Sequence, residues 1–254
     1  MSTTTSEDKE VSRHFKYLIG CLTFLMLQIA QSSVPLLPIK TDVRDQAKLQ
    51  RGAKIFMNYC SGCHSLKYLR YNRMGKDLGL VTFDGELDTH LLVNNLIFTG
   101  AKVQDPILVS MPATDARQWF GLVPPDLSLT ARERGAGWIY TYLKSFYVDN
   151  SRPFGTNNLL IVDTVMPNIL APLEGEVIAV KESSWQIPRL VLKQNGEMSQ
   201  QQFNEMLEDL ITFLVYVSEP AKLVRYRIGI KVVIFLFIFW IVAYLLKKNY
   251  WKKI

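Results

Sequence analysis

Residues 57–66 read MNYCSGCHSL, and their chemistry rests on three side chains: Cys60, Cys63 and, directly behind the second cysteine, His64. Two thiols three apart with an adjacent imidazole suit a metal clip, a dithiol–disulfide couple or the attachment of a haem. A structural zinc site needs four nitrogen or sulfur ligands, commonly two such cysteine pairs or one pair with a later histidine pair. This chain has three cysteines and three histidines in all and no second pair. A thioredoxin-type dithiol sits at a helix start after a strand, whereas QRGAKIFMNYC reads as helix leading into the motif. Haem fits. In C-x-x-C-H the two thiols add to the two vinyl groups of one porphyrin edge, and the histidine faces the iron as axial ligand.

The sixth iron position separates an electron carrier from a catalyst. A methionine thioether opposite histidine raises the reduction potential and closes the iron; an open or water-bound position suits peroxidase-like chemistry. Met57 lies in the helix before the motif, and Met74 follows His64 too closely to wrap around the ring. Met206 falls in a helical apolar stripe, and Met198 precedes that helix. Met111 in VSMPATDARQWFG and Met166 in VDTVMPNILAPLEG each precede a proline, which holds the preceding residue extended and can aim its sulfur. Spacing does not choose between them.

The elements that must position these groups are mostly helical. Gln50–Tyr59 places Ile55 and Tyr59 on one face, with Gly52 and Phe56 on a neighbouring one where glycine lets a second helix approach. Far downstream, Ser199 and Gln202 form a capping-box pattern. Phe203, Met206, Leu207, Leu210, Phe213, Leu214 and Val217 come after it with helical period. These two helices are expected to pack together. Between them, proline and glycine clusters at 104–125 and 149–175 indicate long loops around a cofactor, and VIAVKESSWQIPRLVLKQNG reads as a short hairpin.

A net charge of +6 invites a nucleic-acid reading, but its distribution excludes one. Residues 34–220 carry 18 basic and 20 acidic side chains, while residues 221–254 carry eight basic and none acidic. That tail holds an apolar run, Ile228–Leu246, with Lys231 as its one charge. At 1.5 Å per residue it spans roughly 28 Å, about the hydrocarbon thickness of a bilayer. Tyr226, Tyr244, Tyr250 and Trp251 fall near its two ends, where aromatic residues favour the interfaces. A second apolar run, Tyr17–Ala30, comes after Arg13, His14 and Lys16 and reads as the core of a secretory signal, with an uncleaved anchor as the alternative. The chain therefore divides into a signal peptide at 1–32, a body at 33–221, and a membrane anchor at 222–254 whose span is about 228–246. Covalent haem attachment takes place after export, which puts the body on the outer face of an energy-transducing membrane and the lysine-rich end inside.

Several further motifs occur in order from about Val34 to the C-terminus: RGAKIFMNYCSGCHSL with KYLRY, MPATDARQWFG, VPPDLSLTARERG, WIYTYLKSFYVD with SRPFGTNN, VMPNIL, and a terminal apolar helix after SEP. In these the chain resembles the cytochrome c1 family, the haem subunits of bacterial ubiquinol–cytochrome c oxidoreductase (cytochrome bc1) complexes. The resemblance implies a mainly α fold, a class I cytochrome c-like haem domain with long loops plus one C-terminal transmembrane helix. It implies one haem c bound covalently at Cys60 and Cys63, with His64 and Met166 as iron ligands, so that it favours Met166 over Met111. It also implies that Arg134 contacts a haem propionate and that Pro125 and Trp138 line the haem crevice.

The function so implied is respiratory electron transfer, one electron from a Rieske iron–sulfur protein to a cytochrome c, with no substrate bond made or broken. The implied partners are cytochrome b and the Rieske subunit, in a dimeric complex of the bacterial inner membrane with the haem domain in the periplasm and the C-terminus in the cytoplasm. The competing readings are a membrane-anchored, peroxidase-like haem enzyme with an open sixth position, and a dithiol protein without haem. The slightly acidic body suits a basic acceptor through electrostatic steering, with Asp84, Glu86, Asp88, Glu174 and Glu176 as contributors.

Overall fold

The computed structural model describes residues 34–181 and 187–253, so the expected signal peptide at 1–32, with Cys21, lies outside the described residues. The chain runs through α1 (Gln46–Ile55), a π-helical turn (Phe56–Cys60), β1 (Leu66–Arg70), α2 (Tyr71–Asp77), α3 (Thr89–Leu96), β2 (Pro106–Ile107) and α4 (Ala113–Phe120). It continues through α5 (Thr130–Glu133), α6 (Ala136–Lys144), β3 (Phe146–Val148), β4 (Thr156–Asn158) and α7 (Ala171–Glu174). Last come β5 (Gly175–Val180), β6 (Arg189–Asn195), α8 (Gln200–Ser218) and α9 (Lys222–Tyr250).

Helix α1 starts where the Asp45 carboxylate accepts the Lys48 N–H at 3.1 Å, satisfying one of the free donors of the first turn. Helix α8 starts on the expected capping box, with Ser199 and Gln202 exchanging side-chain and backbone bonds. The two helices cross at Gly52, as its small size leads one to expect. A Cβ built there meets the Asp209 carbonyl oxygen at 2.1 Å and the Phe213 Cβ at 2.7 Å. Beside the crossing, the Arg51 guanidinium grips the buried Asp209 carboxylate with two bonds of 2.6 and 3.0 Å. Phe56 lies 5.8 Å from Phe213, ring centre to ring centre. Leu49, Ala53 and Phe56 join Phe203, Leu207, Leu210 and Phe213 in one buried cluster that also takes in Leu66, Leu92, Leu170 and Leu173.

The end of α1 departs from the expected continuous α-helix. Over Phe56–Cys60 the turn widens, and the Ser61 N–H closes it on the Phe56 carbonyl at 2.9 Å. The extra residue in that turn rotates the residues downstream of it. Tyr59, expected beside Ile55, is 40% exposed. Widened turns of this kind mark functional positions in helices, and this one delivers Cys60.

Among the described residues the strands form three two-stranded antiparallel sheets, β1–β2, β3–β4 and the expected hairpin β5–β6. Two strands alone are marginal in water, so each ribbon depends on the helices it covers. Helix α9 has a mean hydropathy of 2.6 over its most apolar window, with none of that window buried. At 29 residues it reaches roughly 44 Å, enough to cross a bilayer with turns to spare.

Replacing Gly52 by alanine forces α1 away from α8. The Gly52→Ala protein is expected to lose about 1–3 kcal/mol in thermal unfolding. Gly100→Ala, where an added Cβ meets nothing within 4 Å, stays within ~0.5 kcal/mol of the wild type. Equal melting of both variants would show that the crossing tolerates a methyl group.

Candidate functional site

The haem motif is a tight turn at the exit of the π-helical segment. The Cys60 carbonyl accepts both the Cys63 N–H, at 3.1 Å, and the His64 N–H, at 2.8 Å, and the Ser61 hydroxyl donates to the Met57 carbonyl at 2.7 Å. Both thiols are free and partly buried. Burial pushes the Cys60 thiol up to about 12 and raises Cys63 as well. A dithiol redox couple requires a thiol whose acidity is enhanced. These are shifted the other way, unlike the acidified thiol of such a couple.

His64 is 9% exposed, and its Nδ1 lies 2.7 Å from the Pro125 carbonyl oxygen. A carbonyl only accepts, so Nδ1 carries the hydrogen and Nε2 keeps its lone pair for a metal. Burial lowers the pKa of the imidazole, opposed by the Pro125 bond and by the Asp126 carboxylate.

The segment PPDLS is tied rung by rung to the strand behind the motif. The Leu127 N–H donates to the Ser65 carbonyl at 2.9 Å, the Lys67 N–H to the Asp126 carboxylate at 2.9 Å, and the Tyr68 N–H to the Ser128 hydroxyl at 3.2 Å. Two adjacent prolines have no N–H to satisfy, so this stretch runs extended without a sheet partner and aims its carbonyl at the histidine.

Arg134, Trp138 and Tyr142 recur at intervals of four, which places them on one ridge of the chain as it enters and runs along α6. The exposed Arg134 guanidinium lies 5.2 Å from the Trp138 ring and 3.7 Å from the Glu133 carboxylate. Trp138 stacks on Tyr142 with ring centres 5.4 Å apart, and Tyr142 meets Phe146 edge-on at 5.2 Å. The Tyr142 hydroxyl donates to the Met166 sulfur at 3.5 Å. With its one hydrogen spent there, it accepts from the Thr164 hydroxyl at 2.9 Å. Burial raises the pKa of Tyr142, keeping it a donor.

The loop carrying Met166 has little backbone pairing of its own and relies on two buried asparagines. Asn158 donates to the Tyr142 carbonyl at 2.8 Å and accepts from the N–H groups of Leu160 and Ile161 at 2.9 and 3.1 Å. Asn157 accepts the Asp163 N–H at 2.9 Å and donates to Asp149 at 3.0 Å. Asp163 itself sits at φ 61°, a left-handed conformation that aspartate tolerates better than most residues. Its carboxylate pairs with Arg152 at 2.9 Å.

The structure thus brings His64 to Pro125, and links Arg134, Trp138 and Tyr142 in a row of contacts whose last member, Tyr142, reaches the Met166 sulfur. No hydrogen bond joins the first set to the second among the described residues. Met111 is partly buried two residues beyond Val109, whose N–H donates to the Ser65 hydroxyl at 2.9 Å. Its sulfur takes part in no hydrogen bond among the described residues, unlike that of Met166. Tyr142, Asn157 and Asn158 were not singled out from sequence, although the four-residue spacing from Arg134 carries a signal for Tyr142. One expectation is corrected: Glu174, taken as a surface docking charge, is 3% exposed, because α7 turns it inward to within 3.4 Å of the Lys144 ammonium. Asp88 is committed as the cap of α3, accepting the Leu91 N–H at 2.8 Å, and Glu176 pairs with Lys193 at 2.9 Å. The donor set of two reduced thiols, an imidazole with its Nε2 free and a thioether held by a hydroxyl fits a covalently attached haem.

Comparison with known proteins agrees. A family model described as the Cytochrome C1 family matches residues 40–254. The chain is 49% identical to the cytochrome c1 of Allochromatium vinosum over 219 residues, covering 84% of this chain and 87% of that protein. It is 40% identical over 218 residues to a Nitrosomonas europaea protein named ammonia monooxygenase gamma subunit, covering 84% and 86%. It is 24% identical over 230 residues to the cytochrome c1 of Rhodospirillum rubrum, covering 83% of each.

Removing the Tyr142 hydroxyl tests the tie to the sulfur. Tyr142→Phe is expected to keep its haem, to lose about 1 kcal/mol of stability, and to show a lower reduction potential, because the positive end of the O–H dipole no longer favours the less positive reduced iron. An unchanged potential would show that the hydroxyl does not act on Met166.

Proposed function

Because the chain belongs to the cytochrome c1 family, we propose that it is the haem subunit of a quinol–cytochrome c oxidoreductase, taking one electron from a Rieske iron–sulfur protein and passing it to a cytochrome c. Its function is electron transfer, and it carries haem c bound covalently, for which Cys60 and Cys63 are present. That group, when bound, supplies a one-electron iron couple. The chain's own residues hold it so that little has to move.

In this reading Cys60 and Cys63 would hold the haem covalently, and His64 would offer Nε2 to the iron because Nδ1 is committed to Pro125. That fixed tautomer is the observation that carries the proposal. Met166 would supply the second protein ligand to the iron, favoured over Met111 because Tyr142 already orients its sulfur. Arg134 supplies a cation for a propionate: its guanidinium is exposed at the end of the aromatic ridge, and its fork geometry suits a carboxylate. Pro125 and Trp138 are read as walls of the crevice, supported by their contacts to His64 and Tyr142.

The C-terminal helix fits a membrane anchor. We assign the haem domain to the periplasmic side and the lysine-rich end to the cytoplasm, in a dimeric complex with cytochrome b and the Rieske subunit. A peroxidase-like enzyme needs an open sixth position, which the family membership and the held Met166 sulfur disfavour.

The ferric protein is expected to show the near-infrared charge-transfer band of methionine-ligated haem. Met166→Leu abolishes the band and lowers the potential by on the order of 100 mV, while Met111→Leu leaves both unchanged. Retention of the band in Met166→Leu rejects the ligand assignment. Failure of the membrane protein to copurify with a cytochrome b and an iron–sulfur subunit rejects its place in the complex.

A further inference from the structure

Two acidic side chains are buried in the described part of the haem domain, Asp209 and Glu174. Asp209 receives a two-pronged grip from Arg51. Glu174 has far less. Its one cation is the Lys144 ammonium, 3.4 Å from Oε1, and its Oε2 is buried with no hydrogen-bond partner among the described residues. A carboxylate so placed is costly when ionised unless a cation stays beside it.

The position of the pair gives it a consequence. Lys144 is the last residue of α6, the helix that carries Tyr142, while Glu174 is the last residue of α7, at the inner end of the loop that carries Met166. The pair therefore joins the two elements that meet at the methionine sulfur. Its surroundings hold Lys144 in place. The ammonium lies 3.4 Å from the Gln200 side-chain oxygen and 5.2 Å from the Phe203 ring, and Gln200 also donates to the Glu174 carbonyl at 3.4 Å.

The other carboxylates nearby are paired or exposed. Tyr140 of α6 lies in the field of both Glu174 and Glu208 of α8, and Glu208 is paired with Lys48 of α1 at 3.5 Å. Glu176 of β5 faces Lys193, and Glu197, ahead of α8, is exposed. Lys144 is left as the cation that neutralises Glu174.

Resting on the reading of Met166 as an iron ligand, we infer that Lys144 is a positioning residue for the Met166 sulfur, acting through Glu174. The lysine neutralises a buried carboxylate at the inner anchor of the methionine loop, and without the lysine that carboxylate, once ionised, draws the anchor toward water and loosens the sulfur. Burial raises the Glu174 pKa, and Lys144 only partly offsets it. A raised folded-state pKa means that Glu174 favours the fold below its unfolded pKa and that this contribution is lost as pH rises through the folded value. In the wild type the ammonium stays beside the carboxylate as it ionises and the anchor holds; without the lysine the loosening belongs to the alkaline side of that titration.

The test is the methionine-to-iron charge-transfer band of the purified, haem-loaded full chain, monitored from about pH 5 to pH 8 in the wild type, Lys144→Met, Glu174→Gln and the double variant. The wild type, Glu174→Gln and the double variant are expected to keep a flat band. Lys144→Met keeps it in acid and loses it as pH rises, with at least a tenfold rise in the fraction lacking the band. A flat band in Lys144→Met overturns the inference, and so does a loss equal at every pH, which marks a purely structural lysine. If Lys144→Met does not accumulate, a double variant that accumulates with its band intact supports the inference, and a double variant that also fails overturns it. A wild-type spectrum without the band overturns the ligand reading and this inference with it. A band lost in Met166→Leu but indifferent to Lys144 and Glu174 overturns this inference alone.

Discussion

An imidazole presents a lone pair to iron from one nitrogen only while the other keeps its hydrogen and is held still. In this chain that condition is met by one hydrogen bond, from His64 Nδ1 to the carbonyl of Pro125, sixty-one residues away. Everything local to the histidine is arranged so that this carbonyl stays where it is. The rungs from Ser65, Lys67 and Tyr68 to Leu127, Asp126 and Ser128 each contribute only about 1 kcal/mol. Together they fix the register of PPDLS against the strand to within a side chain's reach. The two prolines make the arrangement possible, since any residue with an N–H there would need another partner for it. The cysteines need less support, because a covalent bond replaces precision of contact, and the π-helical turn only has to bring them out on the correct side.

In the proposed site the methionine side solves the same problem by other means. No strand runs alongside residues 159–165, so the N–H groups of Leu160, Ile161 and Asp163 are satisfied by the side chains of Asn157 and Asn158, themselves buried at the end of β4. Hydrogen bonds from buried amides are directional, and a buried amide left unpaired is penalised by about 1–3 kcal/mol, which gives an irregular loop a single conformation. The aromatic ridge on α6 then sets the distance between loop and helix, with Tyr142 as the contact that reaches the sulfur. Electron transfer benefits from this economy. A site whose ligands are held from behind changes little in shape when its charge changes by one.

Much of this was legible in the sequence, for identifiable reasons. Cys60, Cys63 and His64 are adjacent, so their geometry is local and a pentapeptide suffices to announce it. The α1–α8 crossing was legible because Gly52 has no side chain and the apolar stripe of α8 repeats with helical period. What could not be read depends on distance along the chain. Pro125 was placed in the crevice only through resemblance, because the value of its carbonyl lies in a direction that no side chain records. Tyr142 was read as part of a motif and not as a contact, since its partner lies twenty-four residues on across a loop of no regular period. Glu174 was misplaced because a glutamate near the end of a loop, counted as charge, is expected in water. Only the turn of α7 reveals that it points inward to Lys144.

The connection between haem domain and membrane helix constrains function as much as the site does. Helix α8 ends at Ser218 and α9 begins at Lys222, with Glu219, Pro220 and Ala221 between them. Three residues span at most roughly 10 Å, and Pro220 prevents the two helices from fusing into one rigid rod. Since α8 packs against α1 and therefore against the segment that leads to Cys60, the haem-bearing turn is tied to the bilayer through one helix and a short corner. A longer, flexible linker would lower the local concentration of the domain at any fixed membrane partner as the volume it explores grows. A corner this short instead confines the domain close to the membrane surface. In the role proposed above, a carrier that meets its donor in the same membrane benefits from that confinement, and the acceptor comes to it.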